Sequence, residues 1–169
     1  MNFNVRFADK EQTQRAKSQT VGKISVRFDN IIPFIVSTIQ RTDTAHIRGC
    51  VAWFSHAHIL NALAKKESCQ MVVTNDTFSK KTLTLYKKCK GFKTIGRKKG
   101  RRRPYMHHKF IIGLDSKKRP LWMLNGSFNY SYHATNCIEN VFCTEEKKLI
   151  QMYLKEFTRV YKLARPIKK

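Results

Sequence analysis

Apolar positions recur along this chain with two periods, one near two residues and one near three and a half. Lys23-Ile24-Ser25-Val26-Arg27-Phe28 alternates as a strand, and Asp29 or Asn30 can then cap a helix whose Ile31, Ile32, Ile35, Val36 and Ile39 share a face, with Pro33 tolerable only in its first turn. His46 to Phe54 reads as a second strand. Ser55 is the expected cap of a helix with Ile59, Leu60, Leu63 and Ala64 at helical spacing, and Cys69 to Thr74 is a third strand. A weaker helix over about Ser79 to Cys89 leads into a basic segment. Beyond it, Met106 to Leu114 and Pro120 to Asn125 are two apolar runs of strand length, separated by the turn-rich Asp115-Ser116-Lys117-Lys118-Arg119, which predicts a hairpin. A further strand is expected at Glu139 to Cys143. A helix from Glu145 to Leu163 follows, with Leu149, Ile150, Tyr153, Leu154, Phe157, Val160 and Tyr161 on one core-facing stripe.

Strands alternating with helices and then a hairpin imply an α/β domain with a mixed sheet covered on both faces. The 169 residues, 41% of them hydrophobic, suffice for one domain. Residues 1–20 carry few large apolar groups and read as a flexible or peripheral arm, so the domain is expected to span residues 21–169. No run approaches the length of a membrane span and the first twenty residues lack a signal peptide's apolar core, so stable membrane insertion is not expected and a cytoplasmic location is. The five cysteines form no Cys-x-x-Cys pair, which fits a reducing compartment.

Charge narrows the partners. Thirty-four basic against 11 acidic residues give a net charge of +23, far beyond what solubility requires, and counterion release then favours polyanions, nucleic acid (DNA or RNA) first. Ten of the basic residues fall between Lys87 and Arg103 with no acidic one among them. Gly91, Gly96 and Gly100 make this stretch pliable, and it is expected to be a loop over the mouth of a site, where Arg97, Lys98, Lys99, Arg101, Arg102 and Arg103 track a nucleic-acid backbone. Phe92 and Tyr105 are candidates either for base stacking or for the core.

The chemistry sits on the hairpin. His107 and Lys109, two apart on a strand, leave the same face, and His108 points the other way. The second strand delivers Ser127 and Asn129 at its end, so imidazole, ammonium, hydroxyl and amide groups converge in a set suited to phosphate. A lone His-x-Lys or a lone Gly-Ser-x-Asn is weak on its own, the latter because Gly, Ser and Asn are ordinary turn residues. Their order and spacing together are specific. His107-His108-Lys109, Gly126-Ser127-Phe128-Asn129 and the tail Asn136-Cys137-Ile138-Glu139-Asn140 resemble the short, single-motif nucleases of the phospholipase D superfamily. Five residues separate Lys109 from Asp115 where the family has four, so Asp115 falls on the wrong strand parity unless a bulge restores it, and it is a secondary candidate only.

The resemblance implies a phospholipase D-like fold from about Val21 to the final helix, and metal-independent hydrolysis of nucleic-acid phosphodiesters through a phosphohistidine. It assigns His107 as nucleophile in one copy and general acid in the other, Lys109 and Asn129 as phosphate holders, Ser127 as a further donor and Glu139 as the acceptor that fixes the His107 tautomer. No cofactor is implied. His46-Ile47-Arg48, His56-Ala57-His58 and His133-Ala134-Thr135 do not repeat the motif, so two copies meet only if two chains associate, and a homodimer with one composite site is expected. Two histidines two apart at a helix start, His56 and His58, lack a partner at ligand spacing, and no metal site is expected there. An anionic phospholipid such as cardiolipin is the alternative substrate, since the same site cleaves lipid phosphodiesters, and a nucleic-acid-binding relative without activity is the other.

Overall fold

The computed structural model describes residues 17–75, 78–96 and 106–167. Arg97, Lys98, Lys99, Arg101, Arg102, Arg103 and Tyr105, and most of the N-terminal arm, lie outside those residues. In chain order the elements are β1 Gln19–Val21, β2 Ile24–Arg27, α1 Ile31–Ile39, β3 His46–Val51, α2 Ala57–Leu63, β4 Ser68–Thr74 and α3 Lys80–Cys89. Then come β5 Phe92–Ile95, β6 Lys109–Leu114, β7 Pro120–Gly126, β8 Val141–Thr144, α4 Lys147–Leu163 and β9 Arg165–Pro166. The strands form one mixed sheet in the order β1-β2-β8-β7-β6-β3-β4-β5-β9, in which β3–β4 and β4–β5 are parallel and the other pairs antiparallel.

Strand alternation sorts the core into two layers. Ile47, Val51, Met71, Val73, Ile111, Trp122 and Leu124 point to one face and bury against Ile35, Ile39, Ile59, Leu60, Leu63 and Leu85 of α1, α2 and α3. Cys50, Val72, Phe110, Ile112, Leu114 and Met123 point to the other, where Ile150, Phe157 and Val160 of α4 cover them. Trp122, wholly buried, lies over Gly113 of the paired strand; a Cβ there would come within 2.1 Å of the indole. The indole N–H donates to Thr44 Oγ1 at 2.8 Å, so the one polar atom of that ring is satisfied.

Three expectations need correction. Ser55 does not cap α2: its amide and that of His56 both donate to Tyr130 O, at 2.9 and 3.0 Å, and His56 takes the cap position. The stretch from Lys87 is not loop throughout, since Lys87 and Lys88 close the last turn of α3, Lys90 takes a left-handed backbone after it (φ 60°), and Phe92–Ile95 pairs in parallel with Met71–Thr74. The predicted second strand stops at Val51, which leaves Trp53 and Phe54 beyond the sheet. Among the described residues no helix is long and apolar enough to cross a membrane.

Candidate active site

The parallel strands β3 and β4 end at Val51 and Thr74, and the segment entering β6 is fastened across those ends. Thr74 donates its hydroxyl to Met106 O at 2.5 Å, and Ala52 N donates to His108 O at 2.9 Å. These bonds place His107 beyond the carboxyl ends of the strands, where open α/β sheets bind ligands. Lys109 is the first residue of β6, opposite Val51. Its ammonium donates to His107 O at 3.0 Å and lies 3.2 Å from Nε2 and 3.3 Å from Nδ1 of the same ring.

Burial, and behind it the charges of Lys109 and His108, hold the His107 imidazole below its ordinary value, which favours the nucleophilic, neutral form of the ring. Burial also lowers the Lys109 ammonium, opposed by the charge of Glu139. His108 faces away, as the alternation requires, and meets Glu156 of α4 at 3.1 Å. That carboxylate, held chiefly by its bond to Arg159 and also by His108, sits at about 2.

β7 brings the second half. Its pairing sets Gly126 opposite Val141, and Phe128 N continues the ladder to Asn140 O at 3.3 Å. Ser127 therefore faces the Glu139–Asn140 segment: its hydroxyl donates to the Glu139 carboxylate and accepts from Asn140 N at 3.1 Å. Asn129 follows in the loop, with a buried Oδ1 that has no hydrogen-bond partner among the described residues. A buried polar atom left unsatisfied is costly.

The chain thus brings His107 to Lys109 and Ser127 to Glu139, with Glu139 close enough to act on the Lys109 charge. Glu139 accepts from the Ser127 hydroxyl; the resemblance assigned it to the His107 ring. Asp115 is elsewhere. A bulge does occur between Gly113 and Leu114, yet Asp115 lies past the far end of β6, roughly 20 Å of strand from Lys109. There it accepts from the amides of Lys117 and Arg119 and from Arg119 Nε, at 2.9, 2.8 and 2.6 Å, and so builds the hairpin turn.

Trp53 is the site residue that sequence reasoning missed. Its ring meets the His107 ring edge-on, with centroids 5.2 Å apart, and the Lys109 ammonium lies 5.9 Å from it. Its position just after a parallel strand was the available signal. Among the described residues no three His, Cys, Asp or Glu side chains gather as a metal site.

A family model described as cardiolipin synthase, PLD-like domain, matches residues 35–161. An uncharacterized protein of Acanthamoeba polyphaga mimivirus is 23% identical over 80% of this chain and 64% of its own length. Human mitochondrial cardiolipin hydrolase is 40% identical over 65 residues, 38% of this chain and 24% of the relative. The chain thus spans less than two thirds of either relative. In fold it is similar to the phospholipase D family member Nuc from Salmonella typhimurium, with TM-score 0.69, 18% identity and coverage of 86% of this chain and 98% of that one. NucT from Helicobacter pylori gives TM-score 0.65, 15% identity and coverage of 86% and 99%.

Proposed function

The chain belongs to the phospholipase D-like domain family, and from that premise we propose that it is a metal-independent nuclease, cleaving nucleic-acid phosphodiesters through a phosphohistidine on His107. The observation that carries this reading is the pairing of the His107 imidazole with the Lys109 ammonium, 3.2 Å from its Nε2. A phosphodiester repels nucleophiles and leaves as a strong base, so hydrolysis without metal needs a nucleophile competent at neutral pH, an acid for the leaving oxygen, and fixed positive charge.

In the proposed composite site of a homodimer, His107 of one protomer attacks phosphorus and forms the P–N bond as the P–O bond to the leaving alkoxide breaks. The partner subunit's His107, protonated, gives that alkoxide its proton. The same imidazole, now neutral, takes a proton from water, whose oxygen displaces the first His107 and restores both rings. Lys109 neutralises the phosphoryl oxygens in this scheme, and the Asn129 side-chain amide N–H donates to one of them. Glu139 holds Ser127 and favours the charged form of Lys109. A net charge of +23 supports nucleic acid as the substrate, because each neutralised phosphate releases counterions.

One observation favours a second reading, hydrolysis of an anionic phospholipid: the 40% identity over 65 residues with human mitochondrial cardiolipin hydrolase. Incubating the protein with labelled single- and double-stranded DNA, RNA and cardiolipin vesicles in excess EDTA tests both. Cleaved nucleic acid with intact lipid is expected. Cleaved lipid with intact nucleic acid overturns the proposal, and so does activity on nucleic acid that appears only when a metal is restored.

A further inference from the structure

Beside His107 the surface opens into a cleft of about 380 Å³, within the usual range for a bound small molecule. Trp53 forms the wall shared with the site, since the same ring contacts His107 edge-on. Tyr132, Phe54 and Phe78 supply further aromatic surface, and Ser55, Ser79, Lys81 and Thr82 line its polar part. Trp53 and Tyr132 are among the few large apolar side chains left exposed, at 37% and 50%. Exposed aromatic rings that border one cleft are unusual on a chain this polar, and flat ring faces beside a cationic side chain suit another flat ring.

We infer that this cleft is a nucleoside subsite: the base next to the scissile phosphate stacks in it against Trp53 and Tyr132, with Lys81 placed for an adjoining phosphate. The inference rests on the nuclease reading above and adds where the substrate's first unpaired base goes. Position argues for it. Trp53 separates the cleft from His107 by a single ring, so a group seated there is one attached to the reacting phosphorus. Chemistry argues for a base over an acyl chain, because the cleft is open to solvent and partly polar, whereas a fatty chain needs a closed apolar channel. Stacking needs no base-edge contacts, so the subsite is tolerant of sequence and demands a strand whose bases are free to turn outward.

Two elements hold the wall in place. Tyr132 accepts a hydrogen bond from Ala57 N at 3.2 Å and packs at a tilt of 32° against the His56 ring, with centroids 4.4 Å apart. Tyr86, under the cleft floor, donates to Phe54 O.

The sequence supplies its own probe. Of the two tryptophans, Trp122 is wholly buried on Gly113, so a fluorescence change on ligand binding reports Trp53. Thymidine 3′,5′-bisphosphate and its abasic tetrahydrofuran analogue, titrated into the full chain, present the same phosphates with and without a base. The thymidine compound is expected to quench the exposed indole and to bind about tenfold tighter than the abasic one, the effect of one base–aromatic stack. In Tyr132→Leu that ratio is expected to fall toward one, and in Tyr132→Phe, which keeps the ring, to persist. Equal affinities in the wild-type chain overturn the subsite, as does loss of the ratio in Tyr132→Phe, which would assign Tyr132 to holding Ala57. Tighter binding of dihexanoylphosphatidic acid than of the thymidine compound at this cleft overturns it in favour of an acyl chain. The readout is binding, so an inactive protein that still distinguishes the two bisphosphates refutes the nuclease reading and leaves the base subsite standing.

Discussion

Replacing Lys109 with Met removes an ammonium that contacts the His107 ring and leaves a side chain of similar length in its place. At 3.2 Å, the distance Lys109 Nζ already keeps to His107 Nε2, a unit charge acting on a phosphoryl oxygen is worth about 1.3 kcal/mol in fully aqueous surroundings and about 5 kcal/mol at the effective dielectric of a protein surface. Lys109 is half-buried, so the loss falls between those limits, roughly 10²- to 10³-fold in rate, the size seen when one fixed donor of a developing oxyanion is deleted. A second consequence follows from the pKa of His107. Burial lowers it first and the Lys109 charge adds to that, so removing the charge lets the imidazole rise toward its ordinary value. The nucleophile must be neutral, so the acid limb of the pH–rate profile moves to higher pH in the variant. Single-turnover cleavage of a labelled oligonucleotide in chelator, followed across pH, measures both. A loss below tenfold, or an acid limb that stays in place or moves down, refutes the role given to Lys109.

Asp115→Ala is expected to leave turnover intact while lowering thermal stability, because the carboxylate braces the hairpin turn through three bonds. Its bonds to Arg119 and Lys117 hold this carboxyl below the usual carboxylate range, so the stability it contributes is present above the unfolded-state value and is lost as pH falls through the folded one; thermal melts at neutral and acid pH check the sign. Gly113→Ala drives a methyl to within 2.1 Å of the buried Trp122 ring and is expected to cost about 1–3 kcal/mol or more, several degrees in Tm by calorimetry. Replacing Arg101, Arg102 and Arg103 together with Ala is expected to flatten the log–log dependence of nucleic-acid affinity on salt by about 0.7–0.9 per lost phosphate contact, with an unchanged slope placing the nucleic acid elsewhere.

The chemistry of this chain was more legible than its edges. Apolar runs such as Phe110–Leu114 and Leu121–Leu124 announce central strands, and His107, Lys109, Ser127 and Asn129 sit at the ends of those strands, so the hairpin carried the site with it. Phe92–Ile95 was hidden because it is an outer strand with only two apolar residues among basic ones, and its pairing with Met71–Thr74 comes from the neighbour, not from its own pattern. The two-residue β9 escapes for the same reason. Ser55 is a good helix cap by type, but Tyr130 O claims its amide, a contact 75 residues away that no local rule anticipates. Trp53 read as one more strand residue because the apolar run continues past Val51, whereas the sheet stops there and turns the ring onto His107.

The proposed chemistry turns on a covalent bond between phosphorus and His107. It is tested most directly by mixing excess protein with an oligonucleotide carrying ³²P at the scissile phosphate, quenching in alkali within a turnover, and mapping the label by peptide mass spectrometry. An acid-labile, base-stable label is expected on the peptide that contains His107, formed in EDTA and absent from His107→Ala. Full cleavage in the first turnover with no label on the protein, or a label on any other residue, contradicts it.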